Sequence, residues 1–546
     1  MYRAIPALWF YALILLSILA LVRFILSLPW GLIEDEAYYW TWAQIPSPAY
    51  FDHTGGIGLL GWMWQKIAGL NFLGFRVLNG VLSLVTGMAS LAACYTLLPP
   101  ENRAWQPGVK NLTFGPGLIL LFLAFTTVQA THLAWVPDAL YLPCLSLAIW
   151  QICRILGPFG AEKPHHVPHR AWAWAGLFLG LGMLAKEIVL FYALLFCLFA
   201  LIHHDLRRQL QHSIWPWIGL LLMIAAGLPI LVWNVQNDWI LLKFQTTHAL
   251  ISNERVFIPH TFMDQDQAGV NPAPVAAQNG GGGPNRTLDT ANLLLAYGLL
   301  LGPALIAARR HILRTWQQHW PLWALFIGPS LMYFSISLAK GLQTQWALPS
   351  IHIGILLCLP LAAQGTRRQR WWMIGLALFF SILVYLLLTV RTLALAGGNT
   401  QSPFIWPDLF KKIEAYQQAL EQEYGEPVLI LANRYQDASE LNYYRTQSND
   451  FQSVAYGPAE NRTLLPALNI NYRSNHYDLI WPDLKLGGYL AIFIDTHNVY
   501  PPGQAFAEIL DRGNWETPVD KTAYLFGRLA DQPRQQLVKT SQSETE

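Results

Sequence analysis

Charged residues are scarce in this 546-residue chain, where Asp, Glu, Lys and Arg together make up 12% and the formal net charge is +2. So small a net charge gives no support for nucleic-acid binding. The five cysteines all lie in or beside apolar segments, and no pair has metal-binding spacing, so we interpret them as packing residues. The first apolar run lacks a small-residue cleavage site, which favours a retained helix over a removed signal peptide.

Hydrophobic residues, in contrast, make up 53% of the chain. They occur mostly in blocks of about 18–25 residues, the length that about 30 Å of hydrocarbon requires. The sequence therefore predicts an α-helical polytopic membrane protein with about eleven transmembrane helices. The predicted spans are 7–28, 75–98, 114–132, 139–157, 172–186, 188–202, 214–233, 291–308, 320–338, 346–364 and 371–394. Spans five and six are short, so one long tilted helix over 172–202 is the alternative.

Lys and Arg residues mark alternate loops, for example at Arg103, Arg154, Arg207, Arg309 and Arg367. By the positive-inside rule these loops face the cytoplasm. The opposite loops then face outward, and they are 30–60, 133–138, the tip at 186–187, 234–290 and 339–345. This alternation requires the short hairpin over 172–202. It places the first acidic loop and the C-terminal tail outside the cytoplasm.

The composition divides the chain into a transmembrane domain, 1–397, and a soluble domain, 398–546. Two outer loops belong to the first: 30–74, which carries the catalytic candidates, and 234–290, whose polar and Gly-rich sequence is typical of a mobile lid. The tail predicts a small extracytoplasmic α/β domain. Its predicted strands are 427–432 and 489–494, and its predicted helices are 408–424 and 436–444.

Carboxylates follow the first span directly, at Asp35 and Glu36. Acids at a membrane boundary are expensive to desolvate, so they are typical of functional sites. A partly desolvated carboxylate is also suited to act as general base. Adjacent residues point in different directions on a helix, and we favour Asp35 as the base and Glu36 as a binding residue. The alternative is a solvated acid that merely ends the first helix.

Two further acids stand at predicted outer helix ends. Asp52 and His53 lie between Pro48 and a Gly-Gly pair, where a turn would project both side chains for substrate binding or proton handling. Asp138 follows Pro137 and is a second catalytic candidate, although Pro-Asp is also an ordinary helix start. The alternative for Asp52 and His53 is a turn-stabilising Asp beside a surface His. The three aspartates have no spacing that demands a metal, so a divalent cation is an option and no cofactor is required.

Lys186, beside Glu187, lies at the tip of the predicted hairpin. A lysine at membrane depth attracts a lipid phosphate, whereas the alternative is a snorkelling lysine paired with Glu187. Polar and aromatic residues at the other outward exits are candidate substrate contacts, although the tryptophans among them are more simply interfacial anchors. These candidates are Asn234, His248, Lys340 and Trp346.

Taken in order, these segments resemble the bacterial GT-C glycosyltransferases of the protein-mannosyltransferase-like superfamily, which includes the lipid A aminoarabinose transferases. The resemblance rests on Asp35–Trp40, Tyr50–His53, Pro137–Ala139, Gly180–Lys186, Trp233–Trp239 and Trp346–Pro349, and on a tail segment, Asn433–Ser439. It covers most of residues 1–395. The chain departs from the family pattern after His53, where relatives commonly have two prolines and this chain has Thr54-Gly55-Gly56.

The resemblance implies a polyprenyl-phosphate-linked sugar donor and transfer outside the cytoplasm to a glycolipid, a glycan or a protein. Asp35 matches the family's catalytic acid, Asp138 its second acidic position, and Lys186 a position suited to the donor phosphate. The expected function is an inverting membrane glycosyltransferase. The rival hypotheses are a polytopic transporter or flippase for a lipid-linked sugar, and a non-catalytic envelope-assembly protein.

Overall fold

A computed structural model describes the backbone of residues 4–27, 32, 34–69, 71–99, 102–103, 117, 119–120, 123, 132, 134–159, 168–250, 286–340, 344–395, 406–432, 434–447, 468–469, 487–496, 506–516 and 521–531. Most of the predicted span 114–132 and most of the predicted lid, at 251–285, lie outside these described residues.

Sixteen α-helices and five strands follow one another in the described residues, and they are numbered in chain order. The α-helices are α1 (Ala4–Ser27), α2 (Glu34–Gln44), α3 (Gly56–Ala68), α4 (Phe72–Leu97), α5 (Pro137–Leu156), α6 (Arg170–Ala185), α7 (Ile188–Ile202), α8 (His204–His212), α9 (Trp215–Gln236), α10 (Ile240–Leu250), α11 (Arg286–Ala296), α12 (Gly302–Lys340), α13 (Leu348–Ala362), α14 (Arg367–Leu395), α15 (Trp406–Tyr424) and α16 (Tyr435–Gln447). The strands are β1 (Val428–Ala432), β2 (Leu468–Asn469), β3 (Leu490–Asp495), β4 (Phe506–Glu516) and β5 (Lys521–Leu529). A π-helical turn, Tyr297–Leu301, joins α11 to α12, and a 3-10 turn, Thr344–Ala347, precedes α13.

The apolar runs form helices long enough to cross a bilayer. Within the described residues, six helices are long and apolar enough to cross a membrane. The number is seven if α7 and α8, which meet at a bend of 88°, count as one span. In the most apolar 18 residues of the span Thr344–Ala362, 83% of the residues are buried inside the protein. In the corresponding stretch of α9 only 17% are buried. Because lipid can cover an apolar helix as well as protein can, α13 forms the core of the bundle and α9 its periphery.

The chain reverses between α6 and α7, as the short-hairpin prediction requires. Trp172 near the start of α6 lies beside Phe196 near the end of α7, with their ring centroids 5.7 Å apart. At the other end, a Cβ on Gly182 would meet Val189. The two helices therefore run antiparallel, and Lys186 adopts an extended backbone (φ −158°, ψ 132°) at the break between them.

Proline and glycine explain two local features of the membrane helices. Pro321 lacks an amide hydrogen, and α12 loses helical geometry two residues earlier, at His319 (φ −117°, ψ 19°). Glycines allow α6 and α9 to cross in backbone contact, since a Cβ on Gly176 would lie 1.9 Å from the carbonyl oxygen of Gly219. Small residues at such crossings are typical of helix packing in membranes.

The C-terminal segment folds into a five-stranded mixed sheet with the order β2-β1-β3-β5-β4. Strand β1 is parallel to β2 and β3, and β5 is antiparallel to β3 and β4. Buried β1 side chains such as Ile430 pack with Ile492, Phe526, and the apolar face of α15 at Leu409 and Ile413. The predicted small α/β domain is therefore present.

The chain forms two compact units. The membrane unit comprises Met1–Leu28, Leu73–Val232 and Pro284–Thr389. The loop-and-sheet unit comprises Pro29–Phe72, Trp233–Gly283 and Val390–Glu546. Two loops that hydropathy predicts to face outward thus belong to the same packing unit as the C-terminal sheet, although the composition of the sequence changes only near residue 398.

Candidate active site

The acidic segment after the first span forms the short helix α2, in which Asp35 is exposed and Glu36 is fully buried. Adjacent residues on an α-helix point about 100° apart, which places these two carboxylates in different surroundings. The exposed Asp35 side chain is in contact with solvent. The division of roles between base and binding residue remains a prediction.

A tight turn after α2 presents Asp52 and His53, as the Pro and Gly residues around them predict. The Tyr50 amide donates to the His53 carbonyl (2.9 Å), and the Gly55 amide donates to the Pro48 carbonyl (2.8 Å). A Cβ on Gly55 would lie 1.8 Å from a carbonyl oxygen of the preceding loop, so only glycine fits there. Gly55 is one of the residues at which the chain departs from the family pattern, and this turn requires a glycine there.

Tyr38 holds the carboxylate of Asp52. Its hydroxyl donates to Oδ1 of Asp52 at 2.8 Å, and its ring is buried against Trp42 with centroids 5.1 Å apart. Burial, reinforced by the charge of Asp52, raises the pKa of Tyr38 well above its ordinary value of 10.0. The phenol therefore stays protonated and remains a hydrogen-bond donor to Asp52 throughout the neutral range.

Helix α10 contacts the other side of the same turn. The side-chain nitrogen of Gln245, Nε2, donates to the backbone carbonyl oxygen of Asp52 and lies 3.4 Å from Nδ1 of His53. The rings of Phe51 and Phe244 pack beside this contact, with centroids 4.9 Å apart. Residues far apart in sequence, Tyr38 of α2 and Gln245 of α10, thus contact Asp52.

Helix α16 of the C-terminal segment packs on α2. The rings of Tyr435 and Tyr38 are 4.5 Å apart, and those of Tyr443 and Trp40 are 5.5 Å apart. Tyr435 belongs to the tail segment that carries part of the family resemblance. Helix α16 therefore supports the helix of Asp35, in part through the phenol that holds Asp52.

The second candidate cluster lies in the membrane unit. Nζ of Lys186 is 2.7 Å from Oδ2 of Asp138, and the two side chains are 13% and 17% exposed. The same ammonium lies over the ring of Tyr141, 5.4 Å from its centroid. The close partner of Lys186 is therefore Asp138, 48 residues earlier in the chain, and the neighbouring Glu187 is not needed to explain its position.

Helix α5 begins at Pro137, and Asp138 lies in its first turn. This agrees with the interpretation of the Pro-Asp pair as an ordinary helix start. Its contact with Lys186 gives it a second role, because a lysine held by a carboxylate keeps a fixed position and two further N–H donors. The two predicted residues Asp138 and Lys186 are thus brought together.

The remaining predicted residues are placed as follows. Asn234 is buried and closes the turn between α9 and α10, where its side-chain oxygen accepts from the Leu242 amide (3.3 Å) and its carbonyl from the Trp239 amide (2.7 Å). Trp346 is half-buried in the 3-10 turn before α13. His248 lies in α10 and Lys340 ends α12, but their side chains are outside the described part of the structure. Asn234 thus has a structural role in the turn.

Tyr38 and Gln245 contact Asp52, and Tyr435 contacts Tyr38, but none of the three is among the predicted site residues. Tyr38 and Tyr435 lie in two of the segments that carry the family resemblance, Asp35–Trp40 and Asn433–Ser439. Among the described side chains, no three of His, Cys, Asp or Glu are grouped so as to hold a metal ion, and we assign no metal ligand.

Comparisons with known proteins bear on the fold. Residues 115–233, which include Asp138 and Lys186, match the family described as dolichyl-phosphate-mannose-protein mannosyltransferase. The structure is similar to ArnT from Cupriavidus metallidurans in the apo state, with a TM-score of 0.56 and 12% identity over 94% of this chain and 97% of that one. It is also similar to the same protein bound to undecaprenyl phosphate, with a TM-score of 0.52 and the same identity and coverage. No curated protein sequence matches the chain. The predicted class of fold, a helical multi-pass membrane protein with a small C-terminal sheet domain, is confirmed.

Proposed function

We propose that this multi-pass membrane protein, which has the GT-C fold and a small C-terminal α/β domain, is a glycosyltransferase that uses a polyprenyl-phosphate-linked sugar donor. The observation that carries the proposal is the likeness over 94% of the chain to ArnT, which has also been solved with undecaprenyl phosphate bound. The match of residues 115–233 to a mannosyltransferase family supports the same class of donor.

In the proposed reaction Asp35 removes a proton from the acceptor nucleophile. The nucleophile attacks the anomeric carbon of the sugar from the face opposite the phosphate, and the bond from that carbon to the phosphate oxygen breaks. The electron pair leaves with the polyprenyl phosphate, and the configuration is inverted. The exposure of Asp35 on a short helix supports its assignment as general base, since a base must reach the proton that it removes.

Lys186 is the proposed contact of the donor phosphate. Lysine has three N–H donors, and Asp138 occupies one of them at 2.7 Å. The remaining donors are available to the phosphate, whose negative charge grows as it leaves, so an ammonium there lowers the energy of the transition state. In this scheme Asp138 holds Lys186 in position, while Asp52 and His53 bind substrate.

We place the reaction on the extracytoplasmic side of a bacterial inner membrane, because the outer loops predicted from the positive-inside rule carry Asp35, Asp138 and Lys186. The acceptor is a glycolipid, a polysaccharide or a protein. The likeness to ArnT makes lipopolysaccharide a reasonable first acceptor to test. The transporter hypothesis explains the membrane acids but gives no role to an exposed carboxylate on the short helix α2.

The experiment is transfer by purified protein in detergent or liposomes, from undecaprenyl phosphate carrying a radiolabelled sugar to a lipid A or membrane-glycan acceptor fraction. Asp35→Asn is the matched control, since it removes the basicity of the side chain with little change of shape. Transfer by the wild type and none by a well-folded Asp35→Asn variant is the expected result. Lipid-linked sugar that crosses the liposome membrane without transfer would instead establish the transporter hypothesis.

A further inference from the structure

Helix α8 turns sharply away from the apolar helix that precedes it. Helices α7 and α8 are separated by a single residue, His203, and meet at a bend of 88°. Helix α7 is apolar along its whole length, so α8 runs across the end of a membrane segment and does not continue it. Helix α9, which is long and apolar enough to cross a membrane, begins three residues after α8 ends. The short helix α8 therefore joins two membrane segments at the same surface.

The side chains of α8 separate into a packed face and an exposed face. Leu206 is fully buried, and the half-buried Gln209 accepts a hydrogen bond from the indole nitrogen of Trp172 in α6 at 2.8 Å. Residues three, four and seven apart share one face of a helix. The opposite face is exposed, and its members are His204, Asp205, Arg207, Arg208, Gln211 and His212. Packing thus fixes α8 on the membrane unit and leaves both arginines pointing outward.

A third arginine reaches the same surface from another helix. Arg170, the first residue of α6, is exposed, and its guanidinium lies over the ring of Trp215 at the start of α9, 5.8 Å from the ring centroid. Trp172, two residues after Arg170, is the side chain that binds Gln209 of α8. We call Arg170, Arg207 and Arg208 the arginine patch.

The arginine patch carries an excess of positive charge. The acid on the exposed face of α8 is Asp205, whose carboxylate is 3.1 Å from Nδ1 of His204. Three arginines against this one carboxylate leave a surplus of two positive charges when the histidines are neutral. A surface with this surplus attracts an anion.

Exposed apolar side chains show the depth at which the arginine patch lies. Leu201 and Ile202, at the end of α7, are each 58% exposed, and Ile214 and Trp217, around the start of α9, are 67% and 52% exposed. In a membrane protein such side chains face lipid, and tryptophan is typical of the level of the headgroups. Arginine is costly within the hydrocarbon, so α8 lies where the acyl chains meet the headgroups.

We propose that the arginine patch binds the phosphate headgroup of an anionic phospholipid in the cytoplasmic leaflet and so holds α8 at the membrane surface. The positive-inside rule predicts a cytoplasmic position for the loop that contains Arg207. A guanidinium offers a fixed fork of N–H donors to phosphate oxygens. The surplus of positive charge favours a lipid with a net negative charge, such as phosphatidylglycerol, over the zwitterionic phosphatidylcholine. The proposal does not depend on the reaction proposed above.

The test is a titration of the full-length protein in detergent with phosphatidylglycerol or phosphatidylcholine of the same acyl chains, with bound lipid counted by native mass spectrometry. The wild type should prefer phosphatidylglycerol, and the preference should weaken as salt is added. The double variant Arg207→Gln/Arg208→Gln should lose roughly 30-fold in affinity for phosphatidylglycerol, about fivefold for each arginine, and nothing for phosphatidylcholine. The variant Arg207→Lys/Arg208→Lys keeps the charge and should retain most of the preference.

The matched control is Lys411→Gln/Arg512→Gln, which removes two exposed cations from α15 and β4 and changes the net charge by the same amount. It should bind phosphatidylglycerol as the wild type does. Because Arg207 and Arg208 are exposed, their replacement should leave the melting temperature in detergent unchanged. Added phosphatidylglycerol should then raise the melting temperature of the wild type more than that of Arg207→Gln/Arg208→Gln.

Equal affinity of the wild type for the two lipids, an unchanged preference in Arg207→Gln/Arg208→Gln, or an equal loss in the control would overturn the proposal. The single variant Arg170→Gln, on a different helix, gives an independent measurement if the double variant folds poorly. It should lose about fivefold in affinity for phosphatidylglycerol, and wild-type affinity would contradict the arginine patch. Undecaprenyl phosphate is the third probe. If it displaced phosphatidylglycerol from the patch, the site would belong to a polyprenyl phosphate and the assignment to a phospholipid would be wrong.

Discussion

Replacing Tyr38 with Phe tests whether the buried phenol positions Asp52 for catalysis. The substitution removes one hydrogen bond, from the Tyr38 hydroxyl to Oδ1 of Asp52 at 2.8 Å, and keeps the ring contacts with Trp42 and Tyr435. A hydrogen bond to a charged group contributes about 1.5–3 kcal/mol. If it is needed in the transition state, kcat/KM should fall by roughly 10- to 150-fold.

The assay is initial rate of transfer against donor concentration, with folded yield measured on the same preparations. Because the pKa of Tyr38 is raised well above 10.0 by burial, the phenol does not ionise at neutral or mildly alkaline pH. The ratio of wild-type to Tyr38→Phe activity should therefore stay constant across that range. A ratio that collapses at mildly alkaline pH would show that the phenol ionises there, and would refute the assigned donor.

Tyr50→Phe is the matched control, since Tyr50 is also a buried phenol of this region. Its hydroxyl donates to the Ile45 carbonyl (2.6 Å) and accepts from the Ser47 amide (3.0 Å), so it stabilises the backbone of the loop. Tyr50→Phe should lower stability and yield. Wild-type kcat/KM in Tyr38→Phe, or a loss of activity in proportion to lost folded protein as in Tyr50→Phe, would refute the positioning of Asp52 by Tyr38.

Three further predictions concern other parts of the chain. Lys186→Ala should raise the donor KM about tenfold or more, measured with undecaprenyl-phosphate sugar, whereas a purely structural lysine would lower yield and leave donor affinity unchanged. Gly55→Ala should cost at least about 1–3 kcal/mol by thermal unfolding because the added Cβ has no room, whereas Gly375→Ala, with nothing within 4 Å, should be near neutral. A hydrogen bond from Tyr416 lowers the pKa of Asp511 below its ordinary value of 3.8. The ionised Asp511 therefore stabilises the sheet above pH 3.8, and this stabilisation is lost as the pH falls through the lowered pKa. Hydrogen exchange of β4 and β5 should show that the strands open in acid, and this opening should depend less on pH in Tyr416→Phe.

Several features of the fold could be predicted from residues that are close together in the sequence. Length and hydropathy predict most spans, and Pro and Gly predict the turn that presents Asp52 and His53. The strands predicted at 427–432 and 489–494 are present as Val428–Ala432 and Leu490–Asp495. Each of these signals depends on residues close together in sequence, where backbone geometry and burial act directly.

Strands β4 and β5 show where that reasoning stops. The sequence of β4, FAEILDRGNWE, is largely exposed in the structure and has no sustained alternation of apolar and polar residues. It forms a strand because β5 supplies its hydrogen-bond partners, with register shifts near Phe506 and Ile509. An edge strand held by pairing more than by burial leaves little hydrophobic pattern to read.

Partners far apart in the chain account for the rest of the candidate site. Lys186 stands next to Glu187 in sequence, yet its close contact is Asp138, because α5 and α6 bring the start of one and the end of the other together. Tyr435 lies about four hundred residues after Tyr38, and only the packing of α16 on α2 places their rings 4.5 Å apart. Periodicity within a helix predicts which face is buried but not which helix covers it.

The packing of α16 on α2 has a consequence for function. Because α16 supports the phenol that holds Asp52, the C-terminal segment contributes to the candidate site. Damage to that helix should therefore alter catalysis through Asp52 while the membrane unit stays folded.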